Sequence, residues 1–136
     1  MKTLRWISPL FGVCALYDGV LGVLFLMAPD WPFRQFDVTP PNHFGYVEFP
    51  AALLLIFGLM FLAVAASPVK NRNLIPYGML LKVAYVAVTL RYWLAGDLPW
   101  IWKPFTVIDT VMLALFVWAY AAIPAVAAKR GRDGKE

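Results

Sequence analysis

The sequence has only one cysteine and one histidine, and charged residues make up 15% of its 136 residues. One cysteine excludes an internal disulfide bond, and one histidine excludes haem held by two histidines of the same chain. The low charge excludes a disordered chain and a nucleic-acid-binding domain, because both need many solvated or basic side chains. Apolar residues instead make up 62% of the chain, against about 45–50% in a soluble domain. The composition is typical of a membrane protein.

Four long apolar runs account for most of the chain, at residues 7–27, 47–67, 74–94 and 103–124. A helix that crosses the hydrocarbon layer of about 30 Å needs about 20 apolar residues. Each run must be helical, since lipid offers backbone amides no hydrogen-bond partners. The first run is longer than the apolar part of a signal peptide, so we expect it to be retained. We predict an all-α fold, with one four-helix transmembrane bundle over residues 1–128.

Basic residues predict which end of the bundle faces the cytoplasm, because cytoplasmic loops are enriched in Lys and Arg. Most of them lie at the N-terminus, in the turn between the second and third runs, and in the tail 129–136: Lys2, Arg5, Lys70, Arg72, Lys129, Arg130, Arg132 and Lys135. We therefore predict that both termini are cytoplasmic. The loop 28–46 would lie outside. Its aromatic residues and prolines predict that it rests on the membrane surface, with one short helical turn.

Three ionisable residues lie deep inside the predicted spans: Asp18, Lys82 and Asp109. At about 1.5 Å per residue, they share a depth of roughly 9–18 Å below the outer boundary. Each costs about 2.5–3.5 kcal/mol to insert alone. We therefore expect all three to face the interior of the bundle, with Lys82 between the two aspartates.

Helical spacing supports an inward face for these residues. The third span has one stripe that includes Lys82, and the fourth has one that includes Asp109: Gly78, Lys82, Tyr85, Thr89 and Trp93, then Thr106, Asp109, Met112, Phe116 and Tyr120. The first span carries a seam of small residues, which predicts close packing against another helix: Gly12, Ala15, Gly19 and Gly22.

Two interpretations stay open for Asp18, Lys82, Tyr85 and Asp109. They form either a structural ion network that fixes the register of the helices, or a polar pocket that binds a small ligand or takes up a proton. One lysine with two aspartates leaves an excess negative charge, and this excess would favour uptake of a proton.

A second, shallower set of polar residues lies near the outer boundary: His43, Glu48, Arg91 and Lys103. We expect Arg91 to pair with Glu48 or to cap a carbonyl group. His43 with Asp37 and Glu48 could bind a metal ion. Because no ligand spacing supports that, we predict a surface histidine, no metal site and no catalytic residues.

Four stretches of the chain look familiar together: Tyr17–Gly19, Pro40–Phe49, Asn71–Lys82 and Trp102–Asp109. They resemble small uncharacterised bacterial four-span membrane proteins, which in turn are similar to the DoxX-like group of four-helix inner-membrane proteins. The resemblance implies the same architecture and an inner-membrane location. Some DoxX-like members are associated with quinone-linked sulfur oxidation, but no residue here carries that chemistry over.

Three functions follow as hypotheses. The first is a non-enzymatic membrane protein, either an accessory subunit of a larger membrane complex or a binder of a lipid-like or quinone-like molecule within the bundle. The second is a redox-linked enzyme subunit of the DoxX-like type. The third is a proton-coupled carrier of small molecules that works as a homo-oligomer. We predict contact with membrane lipids and none with nucleic acid, and no cofactor, although a quinone is compatible with the first two hypotheses.

Overall fold

The computed structural model describes the backbone of residues 4–133 and the side chains of residues 4–123. Within that range the regular structure is all helical, without strands, and loops connect the helices. The helices are α1 (Ile7–Met27), α2 (Trp31–Gln35), α3 (Gly45–Ala66), α4 (Ile75–Ala95) and α5 (Lys103–Asp133). Short 3-10 turns precede the last two, at Arg72–Leu74 and Trp100–Trp102.

Four of these helices, α1, α3, α4 and α5, are long and apolar enough to cross a membrane. The predicted all-α fold with four spans is therefore confirmed. The last helix continues to Asp133 rather than ending near residue 124. The predicted basic tail 129–136 lies outside the residues whose side chains are described.

The connections between the long helices follow local chemistry. The short helix α2 is the helical turn expected in the loop 28–46, and Pro32 lies in its first turn, where a missing N–H costs nothing. Gly96 ends α4 with a φ of 83°, a left-handed conformation that glycine adopts without steric cost. Its N–H donates to the Trp93 carbonyl at 3.1 Å.

The helices α1 and α3 run antiparallel and pack closely. At one end the Ser8 hydroxyl donates to the Ala65 carbonyl oxygen. At the other end Gly22 lies so close to α3 that an added Cβ would be 2.9 Å from the Ala51 carbonyl oxygen. Between them, a Cβ on Gly58 would lie 3.4 Å from the carbonyl oxygen of Ala15. The predicted small-residue seam of α1 is therefore a packing face at Ala15, Gly19 and Gly22, whereas a Cβ on Gly12 would meet nothing within 4 Å.

Aromatic contacts hold α5 antiparallel to α1. The rings of Trp6 and Trp118 stack with their centroids 4.1 Å apart. One layer deeper, the buried ring of Phe11 stacks on Phe116 at 4.7 Å, and Phe61 from α3 joins them. This core fills the end of the bundle that also holds the turn 67–74, and it separates that end from the charged residues at mid-height.

The seam allows a direct test of packing. We expect Gly22→Ala to lower the free energy of unfolding by about 1–3 kcal/mol, the usual cost of overpacking, because the new methyl would meet a backbone oxygen. Gly12→Ala is the matched control on the same helix, since a Cβ there meets nothing within 4 Å. Denaturant unfolding in detergent micelles measures both. Equal stability of the two variants would contradict the close approach.

Candidate functional site

The inward faces of α1, α4 and α5 carry the three charged residues that the sequence placed at mid-depth. Asp18 and Lys82 are each 1% exposed, and Asp109 is 6% exposed. The other members of the predicted stripes are buried or half-buried with them, including Thr89 and Thr106. The helical spacing therefore identified the faces that turn inward.

Lys82 lies between the two aspartates, as predicted. Its Nζ donates to Oδ1 of Asp18 at 3.0 Å and to Oδ2 at 3.2 Å. It also donates to Oδ1 of Asp109 at 3.2 Å. Three helices are thus joined at one ammonium group, in a region where water and counterions are scarce and electrostatic attraction is strong.

Aromatic rings surround the ammonium group of Lys82. The centroid of the Tyr17 ring lies 5.4 Å from Nζ, and that of Phe61 lies 5.9 Å away. Both distances are within the range in which a cation is attracted to the face of a ring. The two rings are among the groups that bury Lys82.

A cavity of about 120 Å³ adjoins the charged residues. Asp18, Lys82, Tyr85 and Asp109, which the sequence analysis grouped as a candidate site, all lie in its wall. The remaining wall is apolar and comes from all four long helices and the Trp100–Trp102 turn: Tyr17, Leu21, Phe25, Leu54, Leu81, Trp102 and Phe105. The structure therefore brings the candidate residues together in the wall of one cavity.

A second cavity, of about 220 Å³, lies beside the first on the side of α2. The two share four wall residues: Leu21, Phe25, Trp102 and Phe105. Most of the other residues in the second wall are aromatic residues or prolines of the segments 31–36 and 100–105, such as Trp31, Phe36 and Trp100. We call the two cavities together the aromatic cleft. Its wall residues extend from α2 at one end to Asp109 at the other.

The outer-boundary residues do not form a site together. Within residues 4–123 there is no ion pair between Glu48 and Arg91, and Arg91 donates no hydrogen bond to a carbonyl group, so that expectation is wrong. Arg91 is exposed and lies instead over the ring of its neighbour Tyr92, at 5.7 Å. A cation at the end of a helix finds the nearest ring in its own sequence more easily than a partner on another helix.

The remaining two members of that set also contact local groups. Lys103 places its Nζ 5.5 Å from the centroid of the Trp93 ring. His43 is exposed, and its Nδ1 accepts a hydrogen bond from the Gly45 N–H at 2.9 Å, which helps to begin α3. In the described part of the chain, no three His, Cys, Asp or Glu side chains cluster closely enough to hold a metal ion.

Sequence reasoning missed one polar contact at the opposite end of the bundle. Arg72, interpreted from the sequence as a topology determinant, stacks its guanidinium group 3.6 Å from the Tyr120 ring centroid. It also donates to the Tyr120 carbonyl oxygen at 3.2 Å. The helical spacing predicts that Tyr120 lies on the inward stripe of α5. No sequence pattern indicates that it contacts an arginine of the turn 67–74.

Comparison of the chain with protein-family models, with curated proteins and with solved structures gave no match. The resemblance to DoxX-like proteins therefore stays a prediction. What can be said of function depends on the geometry of the cleft and its charged end.

The charged network gives a prediction about stability. We expect Lys82→Met to lower the free energy of unfolding by about 3–5 kcal/mol, because it leaves two buried carboxylates without their cation. Adding Asp18→Asn and Asp109→Asn to that variant should recover much of the loss, since no uncompensated charge then remains. Lys103→Met is the control, because in the described range that lysine forms no ion pair. Unchanged stability of Lys82→Met would show that the network is dispensable for folding.

Proposed function

We propose that this chain is a small, non-enzymatic membrane protein that binds a lipid-like or quinone-like molecule between its helices. The observation that carries the proposal is that the aromatic cleft has the buried charges in the wall of one cavity and aromatic side chains in the wall of the adjacent one. The apolar end would take the ring or chain of an amphiphile, and the charged end would take its polar head.

The dimensions of the cleft support this division. Ligand pockets for molecules of ordinary size hold about 300–1,000 Å³, and neither cavity alone reaches that range. A ligand would therefore extend through both, past the shared residues Leu21 and Phe105. An elongated molecule with a small head fits such a shape better than a compact one.

The polar chemistry of the cleft supports binding rather than catalysis. Among the described residues, the groups that line its deep end are two carboxylates, one ammonium and the phenols of Tyr17 and Tyr85. No serine, cysteine or histidine lies in that wall, so it offers no nucleophile paired with an imidazole base. Polar groups of this kind orient a head group.

Binding can be measured by fluorescence, because Trp31, Trp100 and Trp102 line the cleft. A benzoquinone with a decyl chain, titrated into the protein in lipid nanodiscs, should quench tryptophan emission in a saturable way. We expect Leu21→Phe, at the junction of the two cavities, to weaken binding about tenfold, equivalent to about 1.4 kcal/mol.

The matched control is Leu16→Phe, which changes the same residue type on the lipid-facing side of α1, where Leu16 is 68% exposed. Its quenching curve should equal that of the unmodified protein. Non-saturable quenching that is the same in all three proteins would mean that the quinone only dissolves in the bilayer, and would refute the proposal.

We further infer that the protein lies in the bacterial inner membrane with both termini in the cytoplasm. The support is the excess of Lys and Arg at the N-terminus, in the turn 67–74 and in the tail. The contacts of α1 with α3 and with α5 are consistent with this, because the start of α1 meets the end of α3 and the Trp118 region of α5.

Single cysteines test this orientation. In a Cys14→Ala background, Asn42→Cys lies in the loop 28–46 and Val69→Cys in the turn 67–74, and both positions are exposed. In cells with a permeabilised outer membrane, a membrane-impermeant maleimide should label the cysteine at 42 and spare the one at 69 until the inner membrane is opened. The reverse pattern would invert the topology.

A further inference from the structure

The ammonium group of Lys82 is held by both carboxylates. The three short contacts of Nζ all end on carboxylate oxygens of Asp18 and Asp109. The two oxygens of Asp18 lie too close together for separate N–H groups, so they share one N–H, and one of the three donors of the ammonium is left. Lys82 lines the cavity, but a head group that only accepts hydrogen bonds must compete there with two carboxylates for its N–H groups.

The two carboxylates are not equivalent. Both oxygens of Asp18 accept from Lys82, and the Asp18 side chain is 1% exposed. Asp109 accepts from Lys82 through Oδ1 alone, and its side chain is 9% exposed. Among the hydrogen bonds of the described residues, none reaches Oδ2 of Asp109. Both aspartates lie in the cavity wall, and Asp109 is the one with an oxygen that accepts no hydrogen bond from the described residues.

We infer that the aromatic cleft recognises its ligand through a hydrogen bond that the ligand donates to the Asp109 carboxylate, so the ligand is an amphiphile with a hydroxyl or ammonium head. This inference rests on the proposed function and specifies its chemistry. The phenols of Tyr17 and Tyr85 can donate or accept, so they suit either kind of head. The Asp109 carboxylate sets the preference for a donor in its ionised form, which only accepts; a protonated Asp109 would instead favour a head group that accepts hydrogen bonds.

The charge balance of the site also favours a ligand with a donor or cationic head group. One lysine compensates one aspartate, which leaves one negative charge in excess inside the bundle when both carboxylates are ionised. A donor head reduces the cost of that charge, and a cationic head neutralises it. The rings of Tyr17 and Phe105 in the wall would add cation–π attraction for an ammonium head, so we expect ammonium to bind more tightly than hydroxyl.

Competition against the quinone reporter tests the inference. The competitors share a ten-carbon chain and differ in the head: decylammonium as a cationic donor, the reduced quinol of the reporter as a neutral donor, and 2-dodecanone as an acceptor only. Both donors should displace the reporter at concentrations at least tenfold lower than the ketone. The order of the two donors shows whether charge or hydroxyl chemistry dominates.

The variant Asp109→Asn should remove the advantage of the donors over the ketone, because the amide of asparagine offers donors of its own. Glu48→Gln is the matched control, a carboxylate-to-amide change outside the cleft wall, and should keep the donor preference. If Asp109→Asn does not fold, the three competitors on the unmodified protein still decide the matter.

Displacement by the ketone as effective as by the donors, with saturable reporter binding intact, would overturn the donor inference and leave the proposed function standing. Absence of saturable reporter quenching, together with no competitor-dependent change in tryptophan emission, would refute the proposed function itself. A donor preference that persists in Asp109→Asn would place the recognising acceptor elsewhere and would also overturn the inference.

Discussion

The burial of Lys82 between Asp18 and Asp109 is the constraint on which the arrangement of three helices depends. Inserted separately, three charges at this depth would cost on the order of 7–10 kcal/mol, comparable to the whole stability of a small domain. The hydrogen bonds of 3.0–3.2 Å from Nζ compensate that cost only in one mutual rotation of α1, α4 and α5. A rotated helix would expose its charge to lipid, so the network specifies the rotation.

The fourth long helix, α3, has a different kind of contact and leaves room for the cleft. It packs against α1 through small residues such as Gly22 and Gly58, where backbones approach closely. In lipid, where hydrophobic attraction between helices is missing, such close approach is a main source of packing energy. One face of α1 thus packs closely against the backbone of α3, and the neighbouring face forms an ion pair through Asp18. The aromatic cleft lies beside the charged face, with Asp18 of α1 in its wall.

Much of this could be predicted from the sequence, because periodicity and the cost of buried charge are local rules. The spans, the inward stripes and the contact of Lys82 with both aspartates all follow from residue spacing and depth. The unequal use of Asp18 and Asp109 does not, since it depends on side-chain reach after the helices have packed. The expected pairing of Glu48 with Arg91 was wrong for a related reason. Near the boundary the side chains are exposed, and an exposed ion pair stabilises the fold too little to hold a flexible cation against a distant carboxylate.

The contacts between the aromatic residues could not be predicted from the sequence. The sequence predicts that the aromatic residues of the loop 28–46 rest on the membrane surface. The structure shows an additional role for one of them. It places Phe33 of α2 against Trp102, with ring centroids 6.1 Å apart, so the loop folds onto the start of α5. This contact joins two segments that are distant in sequence, and Trp102 lines both cavities of the cleft. A charge network alone would be explained by folding, so the proposed binding of a ligand depends on the position of that network beside the aromatic cleft.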